Sequence, residues 1–195
     1  MAILLDLKLP ISIRTRHLHA LLPILIHNGT PNDTNIFPEV LKELRKRRII
    51  REGDLILADK GYYKYDNYRI GLIDYRIIPL IFPKENMKMK KLNQIFNYKL
   101  EIFNPKKNTE KIKKLLKRLK NEFLEKINNW EKYKPIRGKI EDFFKLCKDG
   151  LNMRDIHKYT HDSVKRTVYL NVFLAGLITL QGYTTKTALQ KLAEM

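Results

Sequence analysis

Four apolar residues, Leu55-Ile56-Leu57-Ala58, run without a break between Asp54 and Asp59, and Lys60-Gly61 ends the run. A stretch this short has no room for a helix with a buried face. Without polar alternation it predicts a strand covered on both sides, the kind found where helices lie over a sheet. The rest of the chain supplies such helices and further strands. Ala2–Leu7, Ile11–Leu22 and Pro23–His27 are rich in Ile and Leu, and alternation in Ile11-Ser12-Ile13-Arg14 and His17-Leu18-His19-Ala20 predicts two or three strands there. The turn formers of Asn28–Asn35 lead into a helical pattern from about Phe37 to Arg48, with Val40, Leu41 and Leu44 on its buried side. After Asp59 a helical segment near Asn67–Ile73 precedes Tyr75–Phe82, where Ile77, Ile78, Leu80 and Ile81 predict another buried strand. Strands, helix, strand, helix, strand is the order of an α/β or mixed α+β class.

From Lys84 to Lys139 the composition shifts to 18 Lys+Arg against 6 Asp+Glu, so this stretch carries +12 of the chain's formal +18. Within it Ile112, Leu115, Leu116, Leu119, Phe123, Ile127 and Trp130 recur at spacings of mostly three and four, predicting an amphipathic helix with a lysine-rich outer face. We read residues 84–132 as a basic, partly helical insertion in a single domain spanning 1–195. A second helix is expected from Pro135 to about Lys148, with Ile140, Phe143, Phe144 and Cys147 inward and Arg137, Glu141 and Lys148 near one outer stripe. Gly150 stops it. Ser163 is expected to cap a last helix with apolar Val164, Val168, Val172, Leu174 and Leu177.

Several function classes are set aside by what is missing. One cysteine, Cys147, rules out an intramolecular disulfide framework and CxxC chemistry and suits a reducing cytoplasm. Val168–Tyr183 is short for a bilayer span, and Met1–Leu5 is brief for a signal peptide, so no membrane partner is expected. No Gly-rich phosphate loop, dinucleotide fingerprint or Ser-His-Asp elbow points to a small-molecule substrate. A net +18 on 195 residues calls for a polyanion, and nucleic acid fits best.

Asp59 ends a buried strand, where open α/β sheets bind ligands, although an aspartate there also serves as a helix cap. Glu141 beside Arg137 reads equally as an i,i+4 ion pair. His157 and His161 have helical metal-ligand spacing but no adjacent glutamate. Tyr62, Tyr63, Tyr65 and Tyr68 follow Asp59 beside lysines, and either stack on bases or pack as a loop.

Taken together, Tyr133-x3-Arg137-x3-Glu141-x6-Lys148 and the strand ending Ala58-Asp59-Lys60-Gly61-Tyr62 resemble the DDE transposases of insertion sequences, of the Tyr-Arg-Glu-Lys signature type. Tyr133 stands one residue further upstream than is usual in that signature. His17-Leu18-His19-Ala20, the Asn28–Asp33 turn and Ile156–Thr160 add to the likeness, which runs from about Ile11 to about Thr179. The resemblance implies a ribonuclease-H-like mixed sheet flanked by helices. It also implies a triad of two aspartates and a glutamate holding two Mg²⁺ or Mn²⁺ ions, for metal-dependent phosphodiester hydrolysis and strand transfer at element ends. Asp59 and Glu141 take the second and third places. Asp6 is the candidate for the first, 53 residues ahead of Asp59. Arg137, Lys148, Tyr133 and Lys60 are the expected DNA contacts. DNA is the implied partner, with a homodimer in the DNA complex, in a cytoplasmic, nucleoid-associated setting. An abbreviated element that binds DNA without turnover, and a structural domain whose charge meets RNA, are the competing readings.

Overall fold

The computed structural model describes residues 11–14, 17–19, 33–102, 109–154, 156 and 160–180. The expected strands at Ala2–Leu7 and Pro23–His27, Asp6 included, lie outside them. The chain divides into two compact units, residues 1–132 and 133–195.

In the first unit four strands pair in the order β2 (His17–His19), β1 (Ile11–Arg14), β3 (Leu55–Ala58), β4 (Ile78–Ile81). β1 is antiparallel to both β2 and β3, whereas β3 and β4 are parallel, aligned Leu55 with Ile78 and Ala58 with Ile81. The sheet is thus mixed, which is compatible with the expected α/β class. A parallel pair needs a crossover of a dozen or more residues. Here it consists of a 3₁₀ turn (Lys60–Tyr62), α2 (Tyr65–Arg69) and a π-helical turn (Ile70–Asp74). Arg76, in the left-handed region at φ 53°, turns the chain into β4. The strand expected from Tyr75 therefore starts three residues later, because those residues finish the crossover.

Ile56, Leu57, Ala58 and all four residues of β4 are buried. α1 (Asp33–Lys46) covers the core with Phe37, Val40, Leu41 and Leu44, and starts earlier than its apolar pattern because the polar residues 33–35 open its first turn. α3 (Met89–Ile102) and α4 (Thr109–Asn128) carry the lysine-rich stretch. α4 packs on β4, and Phe123 meets Phe96 of α3 and Tyr68 of α2 at 5.4 and 5.5 Å between ring centroids. Such aromatic packing joins the two helices to the same core as the sheet.

The second unit holds α5 (Lys134–Lys145), a π-helical turn (Leu146–Gly150) and α6 (His161–Leu180). Phe143, Leu146, Cys147, Met153, Val164, Val168, Val172 and Ala175 are its buried residues. The cap of α6 is Thr160, not Ser163: the Ser163 N–H donates to Thr160 Oγ1 at 3.2 Å. A cap must precede the first helical turn, and Ser163 already lies within it. Leu174 and Leu177 of α6 are exposed.

Candidate functional site

Asp59 follows the last residue of β3, half-buried, and β3 has both edges paired, to β1 and to β4. Its Oδ1 accepts the Lys60 N–H at 2.8 Å, so it caps the 3₁₀ turn, while its carbonyl accepts the Tyr62 N–H at 3.0 Å. One N–H occupies a fraction of a carboxylate's roughly four acceptor sites. Capping by this one N–H does not by itself exclude ligation at this position. Lys60 is exposed on the first residue of the turn.

The turn is held from behind by a residue that pattern reading passes over. Asn67 is 1% exposed, and its amide donates to the Tyr62 carbonyl at 2.8 Å and to the Thr34 carbonyl at 2.9 Å. The second bond has a cause in the sequence. Pro38 lies inside α1 and has no N–H to give the carbonyl four residues back, which is that of Thr34. Asn67 supplies the absent donor and ties α1, α2 and the Asp59 turn together. A proline within a helical pattern was the available signal; which distant side chain would answer it was not.

The four tyrosines separate by burial. Tyr62 and Tyr68 are core residues, 2% and 0% exposed, and cannot stack on bases. Tyr68 donates to the Ile81 carbonyl at 2.9 Å, and burial, with Tyr63 and Tyr65 nearby, drives its phenol well above the ordinary value. Tyr63 and Tyr65 are half-buried and meet edge to face at 5.7 Å. Lys84 Nζ lies 5.8 Å from the Tyr63 ring centre and Lys91 Nζ 4.9 Å from that of Tyr65, both within cation–π reach. Tyr65 Oη also accepts the Lys88 N–H at 2.9 Å, pinning the start of α3. Burial alone would raise its phenol, but the Tyr63 hydroxyl, that N–H and the charges of Lys91 and Lys88 outweigh it and hold the group low. Burial and the bond to Tyr65 raise Tyr63.

In the second unit Tyr133 precedes α5, half-buried and without a side-chain cap bond, and Pro135 occupies the first turn. Glu141 is exposed in mid-helix. Arg137 lies on the same helix, with its side chain outside the described residues. Lys148 is exposed on the π-helical turn, not on α5. A π turn advances less around the axis per residue than an α-helix, so Lys148 leaves the stripe that α-helical spacing assigns it. Cys147 is fully buried, its thiol pushed up to about 11, which makes it a packing residue. His157 lies outside the described residues, and among them no group of three or more His, Cys, Asp or Glu is placed to hold a metal ion. Asp59 and Glu141 each have the hard oxygen donors that Mg²⁺ prefers.

Residues 7–177, most of the chain, match the family model described as the transposase DDE domain. The chain belongs to this family. Asp59, Glu141 and the four expected DNA contacts fall inside the matched span, and Asp6 stands one residue ahead of it. Membership of the transposase DDE domain family points to transposition and implies DNA as the partner; divalent metal use is general in the family. No helix among the described residues is long and apolar enough to cross a membrane. No curated protein and no solved structure matches this chain.

Proposed function

We propose that this protein is the catalytic domain of an insertion-sequence transposase, built on a ribonuclease-H-like sheet, that hydrolyses phosphodiesters at element ends and transfers the freed strand to target DNA. The observation that carries the reading is the family match over residues 7–177, which takes in both Asp59 and Glu141. Asp59, Glu141 and Asp6 are the proposed ligands of Mg²⁺ or Mn²⁺. When bound, such a pair of ions supplies an activated water and charge stabilisation for in-line phosphoryl displacement.

The chain's own groups do the rest. The Asp59 carboxylate is oriented by the Lys60 N–H, and Asn67 fixes the turn behind it, so its position costs little ordering on binding. Lys60, exposed next to it, is placed to neutralise a phosphate oxygen. Arg137 and Lys148 position the strand in this reading, with Tyr133 beside them. Protein–DNA complexes that contain a homodimer, in the nucleoid, are the proposed setting.

Glu141→Gln and Asp59→Asn each remove a charge while keeping shape. Each is expected to abolish Mg²⁺- or Mn²⁺-dependent nicking of matching inverted-repeat ends, with non-specific DNA affinity nearly unchanged. A wild-type chain that binds DNA but cuts under no divalent metal would replace this reading with a DNA-binding relic.

A further inference from the structure

Between Lys111 and Arg118 five of eight residues are cations, Lys111, Lys113, Lys114, Lys117 and Arg118, and all five are exposed. Packing aims them outward. Leu116, Leu119, Phe123 and Ile127 are buried on the opposite side of α4 and fix the helix's rotation. Lys113 shares Glu110 at 3.9 Å, a solvated pair of little strength. Among the described residues the other four have no ion-pair partner. Further along the same outer face the positive charge stops, at Asn121, Glu125 and Asn128.

This is a poor arrangement for a merely solvated helix. Lys111 and Lys114, Lys113 and Lys117, and Lys114 and Arg118 are like charges three or four residues apart, which repel. Lys111 also stands in the first turn of the helix, where the backbone dipole is positive and disfavours cations. An anion laid along the face relieves both penalties. The side chains of Glu110, Lys111, Lys113, Lys114 and Lys117 border an open depression of about 390 Å³. The ridge from Lys111 to Arg118 is about 10 Å long, which matches about three phosphates of one strand at about 3.4 Å each along a duplex axis.

We propose that the Lys111–Arg118 face of α4 is a sequence-independent docking surface for the phosphate backbone of duplex DNA. The proposal rests on the reading of this chain as a protein that acts on DNA, and adds the place where the duplex is held. The face has no aromatic side chain and no amide before Asn121, so it positions a backbone and does not read bases. Four of its five cations are lysines, point charges suited to a mobile polyanion.

The test uses the full chain and two unrelated fluorescent 30-base-pair duplexes, titrated by anisotropy between about 50 and 200 mM salt. Lys111→Gln/Lys114→Gln/Arg118→Gln is expected to reduce the slope of log affinity against log salt by about 2.7, at about 0.9 for each phosphate released. The loss should be equal on both duplexes. Swapping the cations instead, Lys111→Arg/Lys114→Arg/Arg118→Lys, keeps the slope. Removing as much charge elsewhere, by Lys42→Gln/Lys46→Gln/Lys165→Gln, changes it by less than about 1. Circular dichroism at 222 nm checks that the helices of every variant are intact. Wild-type binding with a steep salt slope that the ridge variant leaves unchanged overturns the docking surface alone. A loss confined to one duplex overturns its sequence independence. Absence of salt-dependent wild-type binding overturns both this surface and the DNA reading beneath it.

Discussion

Gly71 shows how one atom can decide a crossover. A Cβ at this position would lie 2.7 Å from both Cβ and Cγ of Pro79, a contact no real side chain makes. Pro79 is in turn tolerated in β4 because that strand ends the sheet among the described residues, where an absent N–H breaks no ladder. The pair lets the π-helical turn press against the strand, with the Ile77 N–H reaching the Gly71 carbonyl at 3.0 Å. Neither partner is the flexible end of a long side chain. Gly71→Ala should therefore destabilise the fold by about 1–3 kcal/mol, the usual cost of overpacking. Urea denaturation of the two proteins measures it, and equal midpoints would refute the contact. Gly53 is constrained differently: at φ +88° its surroundings are open, and only the backbone conformation demands glycine. The sequence places Gly71 inside a helical segment, and its steric requirement becomes visible only through the neighbouring Pro79.

Tyr68 is where elements of the first unit meet. It leaves α2, donates to the last carbonyl of β4, and packs its ring on Phe123 of α4. Four tyrosines in seven residues read from sequence either as a stacking platform or as a packed loop. Two of them are buried by separate contacts, Tyr68 against β4 and α4 and Tyr62 against Phe37 of α1 at 5.9 Å between ring centroids. The raised phenol has a consequence for alkaline stability. An unfolded Tyr68 loses its proton near pH 10.0, whereas the folded one keeps it. Its contribution is whole below that pH and is lost as pH rises beyond it. Tyr68→Phe is expected to cost about 1–3 kcal/mol near neutrality, through the unpaired Ile81 carbonyl, and to lose less stability than wild type between pH 8 and pH 10.5. Denaturant titrations at both values decide this, and parallel losses in the two proteins would remove Tyr68 as the cause. Tyr65, held low against its burial by the Tyr63 hydroxyl, the Lys88 N–H and the nearby lysine charges, acts with the opposite sign and is present in both proteins.

The formal charge of +18 acts on the chain as a body before any partner arrives. Self-repulsion at that charge disfavours compact states and is screened by salt as the Debye length falls from about 30 Å at 0.01 M to about 8 Å at 0.15 M. Melting of the free protein should thus move up by about 2–4 °C over that range, the equivalent of roughly 1 kcal/mol at this size. Calorimetry in sodium chloride checks it; a downward shift would mean that attractive ion pairs outweigh repulsion. Much about this protein was legible one-dimensionally. Apolar runs and spacings located β3, α1, α4 and α5, because burial periodicity is written in neighbouring residues. The Arg137, Glu141 and Lys148 spacing with Asp59 indicated the transposase family, and the charge count located the basic stretch. Folding in three dimensions settled other matters. It put Asn67 under Thr34 and Tyr62, separated buried from half-buried tyrosines, and moved Lys148 off the stripe of Glu141 through a π turn. Each of these depends on contacts or rotations between residues far apart in the chain, or on a local change of helix type, and periodicity carries no record of either.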